Sequence, residues 1–591
     1  MFCSPPRTLQ HLFWALLLAG MFLFPAATMV AQDSANASKA QAVYSQGMAA
    51  LEKGDIAGAR ASFEKVIKIA PRSPEPHNSL GWILLQQGEF DPAIAQFRSA
   101  LKIKPDFVQA HVNLANALAA EHDFAEAVSE AREAVRIAPK DSEAHRTLGR
   151  TLSFRGDLTG AMSEMQKAIS LDPGRPELYD DLGSLFEQTG KIDEAAAQFS
   201  ESLRLMPDYF LAALHLGFVR WQQKSLHEAH ELLAKATQEN PKSAEAHYYF
   251  GRVLADEGDS LQALNQMKQA TTLQPDFAEA NESLGFLLQR SGDAQGAVAA
   301  FRQVVQLRPN DADAHNNLGL AMIQVGDAAG SIPEFEAALR LHPNDAGYTE
   351  NLGTAYLQRA DFDAAVKQFQ AALKIAPDDA TAHYDLGLAL KLKDQLPDAI
   401  AEFRKAAELS PDQPDIHYTL GVTLWQTGDF PAAERELRAA TAAKPDYAEA
   451  YYTLGTVLKQ DQKLEDAAAA LRKAIQIDPG LVGAHTNLAA ILRQLGQTQA
   501  ADEESHRAQE LFKQSNSLQA ATFNTNSGKR LLQAGDLDGA ISQFRSAITL
   551  APDYAPAHLE LAAALAQKGE KVEADEESRK AAEIAKTNKA Q

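Results

Sequence analysis

Residues 380–413 read ATAHYDLGLALKLKDQLPDAIAEFRKAAELSPDQ, and the same grammar returns every 34 residues along the chain. Numbered from Ala380, the stretch carries His383 at position 4, Leu386 and Gly387 at positions 7 and 8, Ala399, Phe403 and Ala406 at positions 20, 24 and 27, and Pro411 at position 32. Positions 20, 24 and 27 are spaced i, i+4 and i+7, so they share one helical face that alternates small, large, small. Small residues let two helices approach while the large one fills the space between them. The stretch therefore reads as a helical hairpin, with helix A over about positions 2–14 and helix B over about positions 18–31, stopped by the proline.

Prolines at 71, 105, 139, 173, 207, 241, 275, 309, 343, 377, 411, 445 and 479 repeat the spacing, and counting from Ala40 gives sixteen repeats. Position 8 is Gly in 13 of 16 and Ala in three, and position 20 is Ala in 15 of 16, with Ser331 the exception. Such columns leave no freedom for a strand-based fold. No hairpin of this size can bury its apolar face alone, so the repeats must stack. The period breaks once, since Pro552 follows Pro479 by 73 residues, two repeats with five residues to spare. The sequence thus predicts a main array of about fourteen repeats over 40–515, a break or hinge at 516–520 where proteases should cut first, two further repeats over 521–587, and a tail at 588–591.

Leucine at position 7, glycine at 8, alanine at 20 and 27, phenylalanine at 24 and proline at 32 together resemble the tetratricopeptide repeat family. The resemblance covers residues 40 to about 587. It implies an all-α, right-handed superhelical solenoid whose A helices line a concave groove that receives peptides or partner helices. Position 4, the usual tryptophan, is here mostly histidine: His77, His111, His145, His247, His315, His383, His417, His485 and His558. The run from His315 to Gly319 is similar to the repeats attached to O-linked N-acetylglucosamine transferases, where inward asparagines hold peptide backbone. Asn113, Asn317 and Asn351 would take that part here, in a ladder interrupted by other residue types at position 6.

On helix A, positions 2, 5, 9 and 12 form a stripe distinct from the packing positions 7, 8 and 11. By the resemblance this stripe faces the groove. It carries Trp82, Trp221 and Trp425, with Phe218, Phe286, Tyr248, Tyr384, Tyr418 and Tyr452. Tryptophan and tyrosine are frequent anchors of binding energy. Tyr384, Tyr418, Trp425 and Tyr452 fall in consecutive repeats and are expected to form one aromatic surface, unless the rings pack only between neighbouring A helices.

The composition is 45% apolar and 23% charged, that of a folded chain. With 56 Lys and Arg against 78 Asp and Glu, the formal charge of -22 repels phosphate backbones, so nucleic acid is not an expected partner. The N-terminus has Arg7, an uncharged run from Leu12 to Phe24, then Pro25 and small residues up to Ala31. That pattern is a secretory signal over residues 1–31, cleaved near 27–32, or a retained anchor, which alone would bring membrane contact. The one cysteine, Cys3, precedes the apolar run, so a processed chain would hold no thiol.

Signals of chemistry are absent or broken. Neighbouring histidines of the position-4 ladder stand about a helix diameter, ~10 Å, apart, too far to share a metal ion bound at about 2 Å. His227 and His230 have i, i+3 spacing where a zinc-protease helix needs i, i+4, and Ser527-Gly528-Lys529 lacks the rest of a phosphate loop. No metal, cofactor or catalytic residue is expected, and no stretch outside the repeats could house a catalytic domain. The expected function is a non-enzymatic scaffold for proteins or peptides in the periplasm or cell exterior. The alternative is an accessory subunit of a glycan-transfer or export machine whose catalytic part lies on another chain.

Overall fold

The computed structural model describes residues 34–590, with side chains from 37 to 586; the signal or anchor expected over 1–31 lies outside the described residues. Sixteen hairpins would give thirty-two helices, and the described residues hold thirty-one helices and no strand. The missing one is a fusion. The helix Thr498–Gln533 serves as helix B of repeat fourteen and helix A of repeat fifteen. Residues 516–520, expected as a hinge, therefore bridge the register break as helix, because neither proline nor glycine occurs between Thr498 and Ser527 to stop it. The expected tail at 588–591 is likewise helical as far as Ala590.

The chain divides into two compact units, Met1–Ala321 and Met322–Gln591. Both are built by the same packing. In Met1–Ala321 the rings of Phe63, Phe97 and Phe199 are wholly buried, and in Met322–Gln591 so are those of Phe369, Phe403 and Phe544. Each lies against the position-8 glycine of its own repeat: a Cβ on Gly81 would stand 2.7 Å from Phe97, and one on Gly387 2.5 Å from Phe403. The exceptions obey the same rule. Where position 8 is Ala115, Ala489 or Ala562, position 24 shrinks to Ala131, Ser505 or Ser578. Positions 3, 7 and 10 of helix A form its buried side, as with Ala450, Leu454 and Val457. In repeat fifteen these become Phe523, Ser527 and Arg530, with Phe523 68% exposed, so this helix A opens a new stack uncovered by any preceding helix B.

Position 15 carries the turn between helices A and B. All sixteen residues there have positive φ, eleven of them glycine and the others His122, Lys224, Ala360, Asp394 and Gln462. Glycine adopts that conformation without the steric cost a side chain brings.

The position-4 side chain ties the preceding turn down. His111 Nε2 lies 2.9 Å from the Pro105 carbonyl and Nδ1 2.5 Å from Glu130. The same pair of bonds joins His145 to Pro139 and Glu164, His383 to Pro377 and Glu402, His417 to Pro411 and Glu436, His485 to Pro479 and Glu504, and His558 to Pro552 and Glu577. Tyr179 and Asn281, at the same position, donate to the Pro173 and Pro275 carbonyls. A carbonyl and a carboxylate both accept, and His111 and His417, whose imidazoles are raised in this setting, can donate to both from their two nitrogens. Consistent with this, the bond to Glu436 raises the His417 imidazole above its ordinary value, and the bond to His417 lowers the Glu436 carboxyl. The histidine ladder is thus structural, and among the described residues no group of His, Cys, Asp or Glu is arranged to hold a metal ion.

Candidate functional site

With positions 3, 7 and 10 buried, helix A turns positions 2, 5, 6, 9, 12 and 13 toward its free side, and neighbouring A helices join hands there. Position 5 of one repeat bonds position 6 of the next: Tyr44 to Ser79 at 3.0 Å, Asn78 to Asn113 at 3.0 Å, Arg146 to Asp181 at 2.5 Å, Asp180 to His215 at 2.9 Å, and Tyr384 to Thr419 at 3.1 Å. Position 12 bonds position 13 in the same way: the Trp221 indole donates to Asp256 at 2.8 Å and that of Trp425 to Gln460 at 2.6 Å. A polar ladder of this kind holds successive A helices in register and sets what remains for a partner.

The expected anchors fall into two groups, one in each compact unit. In Met1–Ala321, Asn113 is only 1% exposed and satisfied by Asn78 and Gln109, so it is a rung of the ladder and not a free peptide-holding amide. Asn317 is half-buried. Trp82 is half-buried, and its indole Nε1 is buried without a hydrogen-bond partner. Trp221 and Tyr248 share one cation, since the Arg252 guanidinium stands 4.9 Å from the first ring and 5.9 Å from the second. In Met322–Gln591, Tyr384, Tyr418, Trp425 and Tyr452 all lean on one apolar core, each half-buried. Tyr418 meets Tyr447 at 5.2 Å between ring centres with the rings tilted by 40°, and Tyr452 lies against Gly483. Asn351 is half-buried too. These rings wall the A helices and support their neighbours, so their truncation costs stability as well as any binding. The apolar side chains left most open on the same face are Phe286 at 44% exposure and, in the other unit, Leu392 at 57%.

Sequence reading overlooked the ionisable groups of repeats four to seven, because only aromatic members of the stripe were followed: Arg146, Glu187 and Glu245 stand on it at positions 5, 12 and 2, and His215 beside it at position 6. Arg146 is paired with Asp181 and Glu143 and is only 5% exposed. Burial works against charge on His215, yet its contact with Asp180 holds the imidazole up at about 9. Burial pushes the Glu245 carboxyl up to about 7, with Glu187 adding to the effect and His215 opposing it. Burial also raises Glu187, and in the other unit it lifts Glu350 to about 7 and Asp385 to about 6. Carboxylates on the helix-A face are thus short of positive charge. Such a face, with rings and unbalanced carboxyls on packed helices, offers contact and charge to a partner chain.

The family profile described as "Tetratricopeptide repeat" matches residues 30–74, 44–106, 78–142, 112–176, 181–244, 287–346, 350–414 and 418–482, and one described as "TPR repeat" matches 528–569. Among curated proteins none matches. Similar solved structures include MamA, 26% identical over 28% of this chain and 96% of that one, with a TM-score of 0.27. The Cut9–Hcn1 hetero-tetramer of APC/C is 14% identical over 90% of this chain and 97% of that one, with a TM-score of 0.34. PilF of Pseudomonas aeruginosa is 24% identical over 35% of this chain and 95% of that one, with a TM-score of 0.33.

Proposed function

Because the chain belongs to the tetratricopeptide repeat family, we propose that it is an exported, non-enzymatic scaffold that captures peptides or partner proteins on its helix-A face. The observation that carries this reading is the free side of helix A in both compact units, where half-buried rings, open apolar groups such as Phe286 and Leu392, and under-compensated carboxyls stand on helices locked in register. Rigid presentation lowers the ordering cost of binding. Aromatic anchors then supply contact area with few rotatable bonds to freeze.

Photo-crosslinking tests the surface. A benzoylphenylalanine at Phe286 or Leu392 should trap protein partners in the native cell, whereas the same group at Leu261, 72% exposed on a B helix, should trap few. Equal capture from both faces would sink the assignment. Export rests on the apolar run Leu12–Phe24 and the small residues that follow Pro25, and it is checked by N-terminal sequencing of the protein from its own envelope fraction. A first residue between about 28 and 33 is expected for a cleaved signal. A chain that still begins at Met1 and resists carbonate extraction would indicate an anchor.

A further inference from the structure

In Met1–Ala321, repeats five to seven bring aromatic rings and carboxylates to one place on the helix-A face. Phe218 stands 4.6 Å from Tyr249 and 6.0 Å from Trp221, with Trp221 and Tyr249 6.4 Å apart. All three rings are half-buried. Glu245 is on the helix of Tyr249, and both Glu245 and Glu187 act electrostatically on the Tyr249 hydroxyl. Neither carboxylate has a hydrogen bond or ion pair among the described residues. The cation that acts on both is His215, and its Nδ1 is committed to Asp180 at 2.9 Å. Three carboxylates, Asp180, Glu187 and Glu245, thus share one imidazolium.

Resting on the scaffold reading above, we infer that this part of the face binds an arginine-bearing segment of the partner, its guanidinium seated between the Phe218–Tyr249 rings and the carboxylates of Glu187 and Glu245. The protein already displays the chemistry with a group of its own. Arg252 lays its guanidinium over Trp221 at 4.9 Å, and Trp221 lies within the same aromatic cluster. A flat, weakly hydrated cation stacks on aromatic rings while donating in its plane to carboxylates, which the compact ammonium of lysine does less well. Charge complementarity fixes the partner's sign. A guanidinium at this place neutralises carboxylates that burial otherwise leaves at a cost.

The groups acting on Glu245 are His215 and Glu187 from the preceding A helices; Tyr249 stands on its own helix, and Glu279 on the next A helix acts on Tyr249. A guanidinium added to this set lowers the Glu245 carboxyl from its place near 7, so binding at neutral pH releases protons.

The test uses the full chain and a short fluorescein-labelled peptide of alternating glycine and arginine, with lysine, glutamine and glutamate versions, at low ionic strength. The arginine peptide should bind, the lysine version more weakly, and the glutamine and glutamate versions not at all. Kd should rise about tenfold in the double variant Glu187→Gln, Glu245→Gln. It should not change in Glu503→Gln, Glu510→Gln, whose carboxylates are exposed on the helix Thr498–Gln533. Calorimetry in buffers of different ionisation enthalpy should show proton release at pH 7 that Glu245→Gln loses. Equal weakening in both double variants would mean only the general attraction of a chain of charge -22 and would overturn the site, as would an arginine peptide that does not bind. If Phe286 traps a partner while the peptide ignores Glu187 and Glu245, the scaffold reading stands and this inference falls.

Discussion

Truncating Phe403 to alanine is expected to destabilise repeat eleven by about 3–5 kcal/mol, the cost of emptying a fully buried aromatic site. The ring is 0% exposed and lies against Gly387, where a Cβ would come within 2.5 Å of its edge. Gly387→Ala should therefore destabilise as well, by about 1–3 kcal/mol, as overpacking does. The two changes together should cost less than their sum. Alanine at position 8 with a small residue at position 24 is what repeat three uses in Ala115 and Ala131, so the double variant moves toward a packing the chain already supports. A repeat array need not unfold in one step, so the readout is amide exchange of Ala380–Leu392 and Leu396–Leu409 within the full chain. Strictly additive losses would show that ring and glycine do not compete for one space.

That pairing shows why so much of the fold was legible. A column of glycine at position 8 and one of phenylalanine at position 24 are local facts repeated many times, and the helices they imply follow from spacing alone. Features that depend on one context escaped. Ala360 takes φ 58° because its place in the turn demands it, and nothing in an alanine announces that. The helix Thr498–Gln533 was written in the absence of proline and glycine, but counting repeats made the five surplus residues read as a break or hinge at 516–520. The binding face was legible only as a stripe. A tryptophan that reaches 35 residues ahead, as Trp425 does to Gln460, occupies the same positions as one left for a partner. Only the fold separates them. The carboxylates of Glu187 and Glu245, 58 residues apart, become one site only when their repeats stack.

Thermal stability should be greatest near about pH 5 and fall steadily toward about pH 9, because most perturbed groups bind protons more tightly in the folded chain than in the unfolded one. His417 is raised above 6.5 by its bond to Glu436, and His111 is raised despite burial by Glu130 and the Pro105 carbonyl. Their contribution is whole below pH 6.5 and is lost as the pH climbs through the raised values. The helix-A carboxyls act in the same direction. Glu245 and Glu350 near 7 and Asp385 near 6 keep protons that the unfolded chain has shed above its ordinary carboxyl range, so ionising them costs stability. The opposite sign belongs to Glu436, lowered by His417 and Arg435, and to Glu164 and Glu577, where Lys167, His145, Lys580 and His558 outweigh burial. Their share is whole above pH 4.5 and disappears only as the pH falls through the lowered values. Melting followed by circular dichroism across this range checks the slope. Glu436→Gln with Glu130→Gln should flatten it above pH 6.5, since these are the partners that raise His417 and His111, and the glutamines should fold, since Gln96 and Gln266 already face His77 and His247 in the same register. His417→Leu should instead lower stability by about 1–3 kcal/mol at acidic pH, since it leaves the Pro411 carbonyl without its donor and Glu436 with Arg435 alone. A melting temperature that is constant or rises from pH 5 to 9 would show that these histidines are not held as cations between carbonyl and carboxylate.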